Sequence, residues 1–263
     1  EAVAQFKKAL ELGPESLEPH VGLAQVYLEQ DELEFCVAEV QKARQLGLLD
    51  KSYHQILIRV YINQEKYELA VEELQKLLKI APDSEFAAEQ LVSIYSIQKN
   101  YKLAQEAVSL LISINPSNSG AYHMLGNIYF EEKKYPQALV QFKKALELDP
   151  ESLEPHEGLG LCYFEQGHTE EALLELNHVL RSDPDNENVR FGLGLCYNKI
   201  KEFKKAVEEF SQVLKINPNH PQAKDMLVLC RTQLGHTYFK EKSYPEAVAQ
   251  FKKALELGPE SLE

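Results

Sequence analysis

The stretch QALVQFKKALELDPESLE, residues 137–154, has two companions in the chain. Residues 1–18 read EAVAQFKKALELGPESLE, four substitutions away, and residues 246–263 repeat residues 1–18 without a change. A chain that copies itself this closely is an array, so its period decides the fold. The interval from Glu1 to its counterpart Gln137 divides into four equal steps of thirty-four.

Windows of that length at 17–50, 51–84, 85–118, 119–152, 153–186 and 187–220, with a last one starting at Val228, bring the chain into register. Position 7 is then always leucine (Leu23, Leu57, Leu91, Leu125, Leu159, Leu193, Leu234) and position 11 always tyrosine (Tyr27 through Tyr238). A spacing of i, i+4 places both on one face of a first helix, A. Position 8 is small in most windows (Ala24, Gly126, Gly160, Gly194, Gly235), as is position 20 on a second helix, B. Small residues there let A and B approach closely. Ile58 and Val92 break the rule at position 8, which predicts wider packing in those two hairpins. Position 24 is bulky (Val40, Leu74, Val108, Phe142, Leu176, Phe210, Phe251) and fills the gap towards the next hairpin. Position 32 is proline in every window except the first, which has Leu48. Proline cannot continue a helix and so ends helix B.

This pattern resembles the tetratricopeptide repeat (TPR) family, and it covers the whole chain. The resemblance implies an all-α fold, a right-handed superhelical α-solenoid of stacked antiparallel helix pairs. The expected organisation is a half repeat at 1–16 (helix B only), six equal repeats at 17–220, a short extension at 221–227 and a last repeat at 228–263. The extension, PQAKDML, has no breaker before VLCRTQLGHTYF. Its length is nearly two turns, so it reads as a lengthened helix A that keeps its face, with Pro221 near the first turn.

The formal net charge of −13 argues against nucleic acid or an anionic membrane as the main partner, because both demand a basic footprint. No apolar run reaches the roughly 18 residues that a spanning helix needs, so no membrane insertion is expected. No signal peptide is visible. The chain starts without Met and inside a repeat, so the natural N-terminus is expected to lie upstream. Cys36, Cys162, Cys196 and Cys230 have no metal-ligand spacing. Cys162 and Cys196 are equivalent in adjacent repeats, roughly 10 Å or more apart, beyond the reach of about 7 Å that a disulfide allows. All four read as reduced, packed thiols, which points to a reducing, cytoplasmic setting.

Chemistry is not legible. His20, His54 and His156 share position 4, one per repeat, too dispersed for one metal and read as imidazoles packed between helices. Asp and Glu read as outer-face residues paired with nearby lysines. The FKKAL stretches place each lysine pair on a solvated face, and Gly158–Gly160 and Gly192–Gly194 lie within helix A, where they serve packing. No cofactor, metal or catalytic residue is expected, and the chain is read as a non-enzyme.

In the family, the A helices line a concave groove that holds peptides or helices, chiefly through positions 2, 5, 9, 12 and 13. Carried over, the groove residues are Gln25, Gln55, Arg59, Asn63, Glu89, Ser93 and Ser96 in front, and His123, Asn127, Phe130 and Glu131 in the centre. The rear supplies Glu157, Leu161, Phe164, Phe191, Leu195, Asn198 and Phe239. The front is polar and mixed in charge, whereas Leu161, Phe164, Phe191 and Leu195 form an apolar stripe of the kind that marks contact sites. Only Asn127 fits the clamp by which some relatives grip a chaperone C-terminus, and no lysine stands at position 5, so no such clamp is expected.

The resemblance thus implies a scaffold or adaptor that binds a protein or peptide partner. Two alternatives stand beside it. One is head-to-tail self-association into a structural superhelix or filament, motivated by the repeated segment 1–18, whose unchanged state implies a recent or engineered copy. The other is a regulatory arm of an enzyme lying outside this chain.

Overall fold

The computed structural model describes residues 1–47 and 51–258. Leu48 and Pro259 at position 32, and the last residues of the repeated copy, lie outside the described residues. Among the described residues there are fifteen α-helices and no strand. They divide into two compact units, Glu1–Ala121 and Tyr122–Glu263.

The first unit holds α1 (Ala2–Leu12), α2 (Leu17–Glu29), α3 (Leu33–Gln45), α4 (Lys51–Asn63), α5 (Tyr67–Ile80), α6 (Glu85–Ile97) and α7 (Tyr101–Ile114), and α8 (Ser119–Glu131) starts at its end. The second unit carries on with α9 (Tyr135–Leu148), α10 (Glu154–Gln166), α11 (Thr169–Ser182), α12 (Glu187–Lys199), α13 (Phe203–Ile216), α14 (Ala223–Lys240) and α15 (Tyr244–Leu257). Even-numbered helices from α2 onward are the A helices. Each has 13 residues except α14, which has 18. Pro221 lies in the turn before α14, and His220 Nδ1 accepts the Ala223 amide at 3.0 Å to cap that helix.

The B helices stop two residues before the position-32 proline, as at Ile114 before Pro116 and Leu148 before Pro150. The intervening Asn115 and Asp149 are extended, because proline disfavours a helical residue before it. Between A and B, the chain turns through a left-handed residue at position 15 of every repeat. Asp31, Glu65, Lys99, Lys133, Lys201 and Lys242 have φ of 54–64°, and only the fifth hairpin uses the residue suited to it, Gly167.

The hairpins interlock through wedges and sockets. Phe142 of α9 is fully buried, and its ring occupies the space where Gly126 of α8 and Gly158 of α10 lack side chains. Leu176 of α11 is seated in the same way between Gly160 and Gly192, and Phe210 against Gly194. A methyl at Gly158 would come within 2.5 Å of the Phe142 ring. The Gly-x-Gly pairs are therefore sockets for position 24. Where position 8 carries Ile58 or Val92, position 24 is Leu74 or Val108, shorter than phenylalanine, and all four are enclosed.

A second device ties helix A to helix B, and it corrects the reading of the acidic residues as outer-face groups. His20 Nδ1 lies 2.5 Å from Glu39, His54 Nδ1 2.6 Å from Glu73, and His156 Nδ1 2.6 Å from Glu175. Arg190 reaches Glu209 at 2.8 Å, and Arg231 reaches Gln250 at 3.1 Å. All five pairs join positions 4 and 23. The position-4 histidines thus pack between helices with a carboxylate as partner. The third hairpin replaces both members by buried alanines, Ala88 and Ala107.

Two expected results arise here. In the last pair the Arg231 Nε is buried without a hydrogen-bond partner, and burial lowers the guanidinium pKa. Gln250→Glu supplies the carboxylate that Arg190 already has, and should stabilise the protein by about 1–2 kcal/mol in urea unfolding, since hydrogen bonds between ionised groups are the stronger ones. Burial pushes the Glu39 and Glu73 carboxyls up, but hydrogen bonds from Lys42 and His20, and from Lys76 and His54, outweigh it and leave both below the ordinary 4.5. A depressed carboxyl contributes stability above its unfolded pKa and loses it as pH falls through the folded value. The first unit should therefore lose urea stability below pH 4.5, read by circular dichroism at pH 5.5 and about 3.5.

Candidate functional site

Within the first unit a cleft of about 670 Å³ opens on the A-helix side. Its polar lining includes Gln25 and Glu29 of α2, Gln30 just after it, and Ser52, Gln55 and Arg59 of α4. Its apolar lining includes Phe6 of α1, Val26, Ile56 and Phe86 of α6. Turn-to-turn spacing explains the set: Ser52, Gln55 and Arg59 are three and four residues apart and so share one face of α4. Arg59 stands over the Phe86 ring at 5.9 Å and 3.8 Å from Glu29. Both side chains are more than half exposed, so this ion pair is weak and the guanidinium can turn to another acceptor. The two glutamine amides each carry donors and an acceptor, the complement of a peptide backbone. The volume lies in the range of ligand clefts, roughly 300–1,000 Å³.

Of the remaining front residues, Ser93 donates its hydroxyl to the Glu89 carbonyl at 3.1 Å, within its own helix. Glu89 is half-buried on α6 and is not part of the cleft lining.

In the second unit the expected residues form separate groups. His123 is half-buried, with Nε2 3.2 Å from the Asn127 amide and its ring 5.8 Å from Phe142. Burial lowers its pKa, against the pull of Glu154. Phe130 packs on Tyr135, ring centres 5.5 Å apart. Glu157 is half-buried, and burial raises its carboxyl, aided by Glu154 and Asp183 and opposed by a hydrogen bond with Asn186. The four-residue stripe is half-covered, Leu161 and Phe164 by the next hairpin and Phe191 by α13 of its own hairpin and the turn before α14. Leu161 lies beside Gly192, and Phe164 lies under Lys199, whose ammonium is 4.7 Å from the ring and donates to the Phe164 carbonyl. Phe191 packs on Phe210 and His220, and Leu195 joins the same core. Asn198 accepts from the Cys230 thiol at 3.4 Å.

Nothing in this set assembles a nucleophile with a base. The four cysteines are free and buried, and burial raises Cys162 to about 12 and the others to about 11, so they are thiols at neutral pH. Among the described residues no helix is long and apolar enough to cross a membrane.

Comparison with known families settles the kinship. Profiles described as TPR repeat and tetratricopeptide repeat match residues 126–167, residues 169–230, and residues 50–84 with 230–261. The chain belongs to the tetratricopeptide repeat family.

No curated protein matches it in sequence. Solved structures share its all-α solenoid fold. One, a TPR protein from Parabacteroides merdae, is 17% identical over 92% of this chain and 93% of its own, with a TM-score of 0.67. The C-terminal part of a TPR repeat-containing protein from Cytophaga hutchinsonii is 15% identical over 90% of this chain and 95% of its own, with a TM-score of 0.73. PilF from Pseudomonas aeruginosa is 17% identical over 80% of this chain and 95% of its own, with a TM-score of 0.66. TPR repeats generally mediate protein–protein interaction, and proteins built from them are generally non-catalytic scaffolds.

Gln25, Gln55 and Arg59 are legible as cleft residues from their positions 9 and 5, and so are Ser52 and Phe86, whereas Phe6 is not. Ser52 and Phe86 occupy position 2, so register alone marks them. Phe6 sits at position 24, a core position, and lines the cleft only from the first helix.

Proposed function

We propose that the chain is a protein-interaction scaffold whose first unit seats a segment of a partner polypeptide in the cleft between α2 and α4. The observation that carries this reading is the cleft itself, an apolar floor of Phe6, Ile56 and Phe86 beneath two amides and an exposed guanidinium. An apolar side chain of the partner rests on the floor, and its backbone exchanges hydrogen bonds with Gln25, Gln55 and Arg59. The net charge of −13 suits a protein partner over nucleic acid. In the second unit, His123 with Asn127 on α8, and Glu157 on α10, are further polar positions for the same kind of contact.

The test uses a random dodecapeptide display library selected on the immobilised chain. Selected peptides should lose about tenfold or more in affinity on Arg59→Glu, because desolvated polar contacts at a cleft centre each contribute about 1–3 kcal/mol. Arg59 is exposed, so the substitution leaves folding intact. Peptides that bind the variant as tightly as the wild type would remove the cleft from consideration.

A further inference from the structure

Two arginines are consumed by the fold. Arg190 gives Nε to the Pro184 carbonyl and a terminal nitrogen to Glu209, each at 2.8 Å, and Arg231 gives a terminal nitrogen to Gln250. Arg59 is different. Among the described residues it makes an ion pair and a ring contact but no hydrogen bond. The ion pair with Glu29 is 3.8 Å long, about an ångström beyond a formed charge-assisted bond. Glu29 is 77% exposed and is the last residue of α2, the end where a helix dipole disfavours a carboxylate.

The ring contact prepares the guanidinium for an external acceptor. Its carbon stands over Phe86 of α6 at 5.9 Å. A guanidinium laid over a ring keeps its five N–H donors, which lie in its own plane, available to a planar acceptor. A carboxylate fits that fork through both oxygens. Among the described residues, Arg59 and Glu29 are the charged groups of the cleft lining, so the site holds one cation whose internal partner is loose.

Resting on the reading of the cleft as a seat for a polypeptide, the geometry points to a partner segment with an internal Asp or Glu, whose carboxylate displaces Glu29 from Arg59. Glu29 is then an intramolecular competitor for the fork. The register follows from the helix. Ile56, on the floor, lies three residues before Arg59, about 4.5 Å along α4, and the arginine side chain reaches on towards Phe86 of α6. In an extended segment, side chains two residues apart point the same way and stand roughly 6.5–7 Å apart. The acid therefore lies two residues from the apolar side chain that rests on the floor. The carboxylate is that of a side chain, because a chain end with its own carboxylate beside it would call for a second cation, and the lining holds only Arg59.

The test uses dodecapeptides selected by display on the immobilised chain, synthesised with acetylated and amidated ends. Binding is read by fluorescence anisotropy, and the seat by capture at a benzophenone amino acid placed at Gln55. Selected peptides should carry Asp or Glu two residues from Leu, Ile or Phe. Changing that acid to its amide should weaken binding about tenfold on the wild-type chain and little on Arg59→Gln, since a hydrogen bond to a charged group is the stronger kind. Changing it to Lys should restore binding to Arg59→Glu. Glu29→Gln should tighten the acidic peptide about two- to threefold and leave the amide version unchanged, the scale of an exposed ion pair. Acid and amide peptides that bind the wild-type chain equally, with capture at Gln55 retained, would overturn the inference and leave the cleft standing. So would an equal loss on the wild type and Arg59→Gln, or binding that requires a free carboxy terminus. Absence of capture at Gln55 would overturn both.

Discussion

Phe142→Ala should cost the second unit about 3–5 kcal/mol in urea unfolding, the largest loss expected of any single truncation. Phe142 is fully buried and stands between two helices that have given up their side chains to receive it. Gly126 and Gly158 cannot refill the space, so the cavity stays. The socket also reverses a familiar rule. Alanine is the better helix former by about 1 kcal/mol, yet Gly158→Ala should destabilise, since its methyl would meet the ring at 2.5 Å. In a Phe142→Leu background the same change should become neutral or favourable. A stabilising Gly158→Ala in the wild-type chain would show that the ring is not wedged there.

His54→Leu should be the next most costly change, at about 3 kcal/mol, because it strands the Glu73 carboxylate in the interior with Lys76 alone. Glu73→Leu should cost a similar amount. The double substitution should return to within about 1 kcal/mol of wild type, since an apolar pair of like volume often replaces a buried ionic pair without loss. The chain already contains this solution in its third hairpin, where Ala88 and Ala107 stand at the same positions. A urea double-mutant cycle measures the coupling. Additive losses would mean that the two side chains act independently.

Helix positions are legible because the period fixes them locally. Leucine and tyrosine at 7 and 11 mark one face of helix A, proline at 32 stops helix B, and the helices begin at Leu17, Lys51, Glu85 and Glu187 as the windows do. The pairing of His20, His54 and His156 with carboxylates is not legible. Each partner lies 19 positions on, across a hairpin, and becomes visible only when A and B are laid face to face. The left-handed turn at position 15 leaves no trace either, since Asp31, Glu65 and Lys99 share no side-chain chemistry that announces it. The apolar stripe of Leu161, Phe164, Phe191 and Leu195 falls on the expected helices, α10 and α12, but the cover of Leu161 and Phe164 comes from Gly192 and Lys199 of the next hairpin, which no single repeat encodes. Register finds Gln55 and Arg59 and marks Phe86 through position 2, whereas Phe6, at the core position 24, lines the cleft without any signal in the repeat.

Site-specific photocrosslinking decides whether the cleft receives another polypeptide. A benzophenone amino acid placed at Gln55, inside the cleft, should capture a display-selected peptide, and one placed at the exposed Gln75 of α5 should not. Capture at Gln75 with none at Gln55 would rule the cleft out.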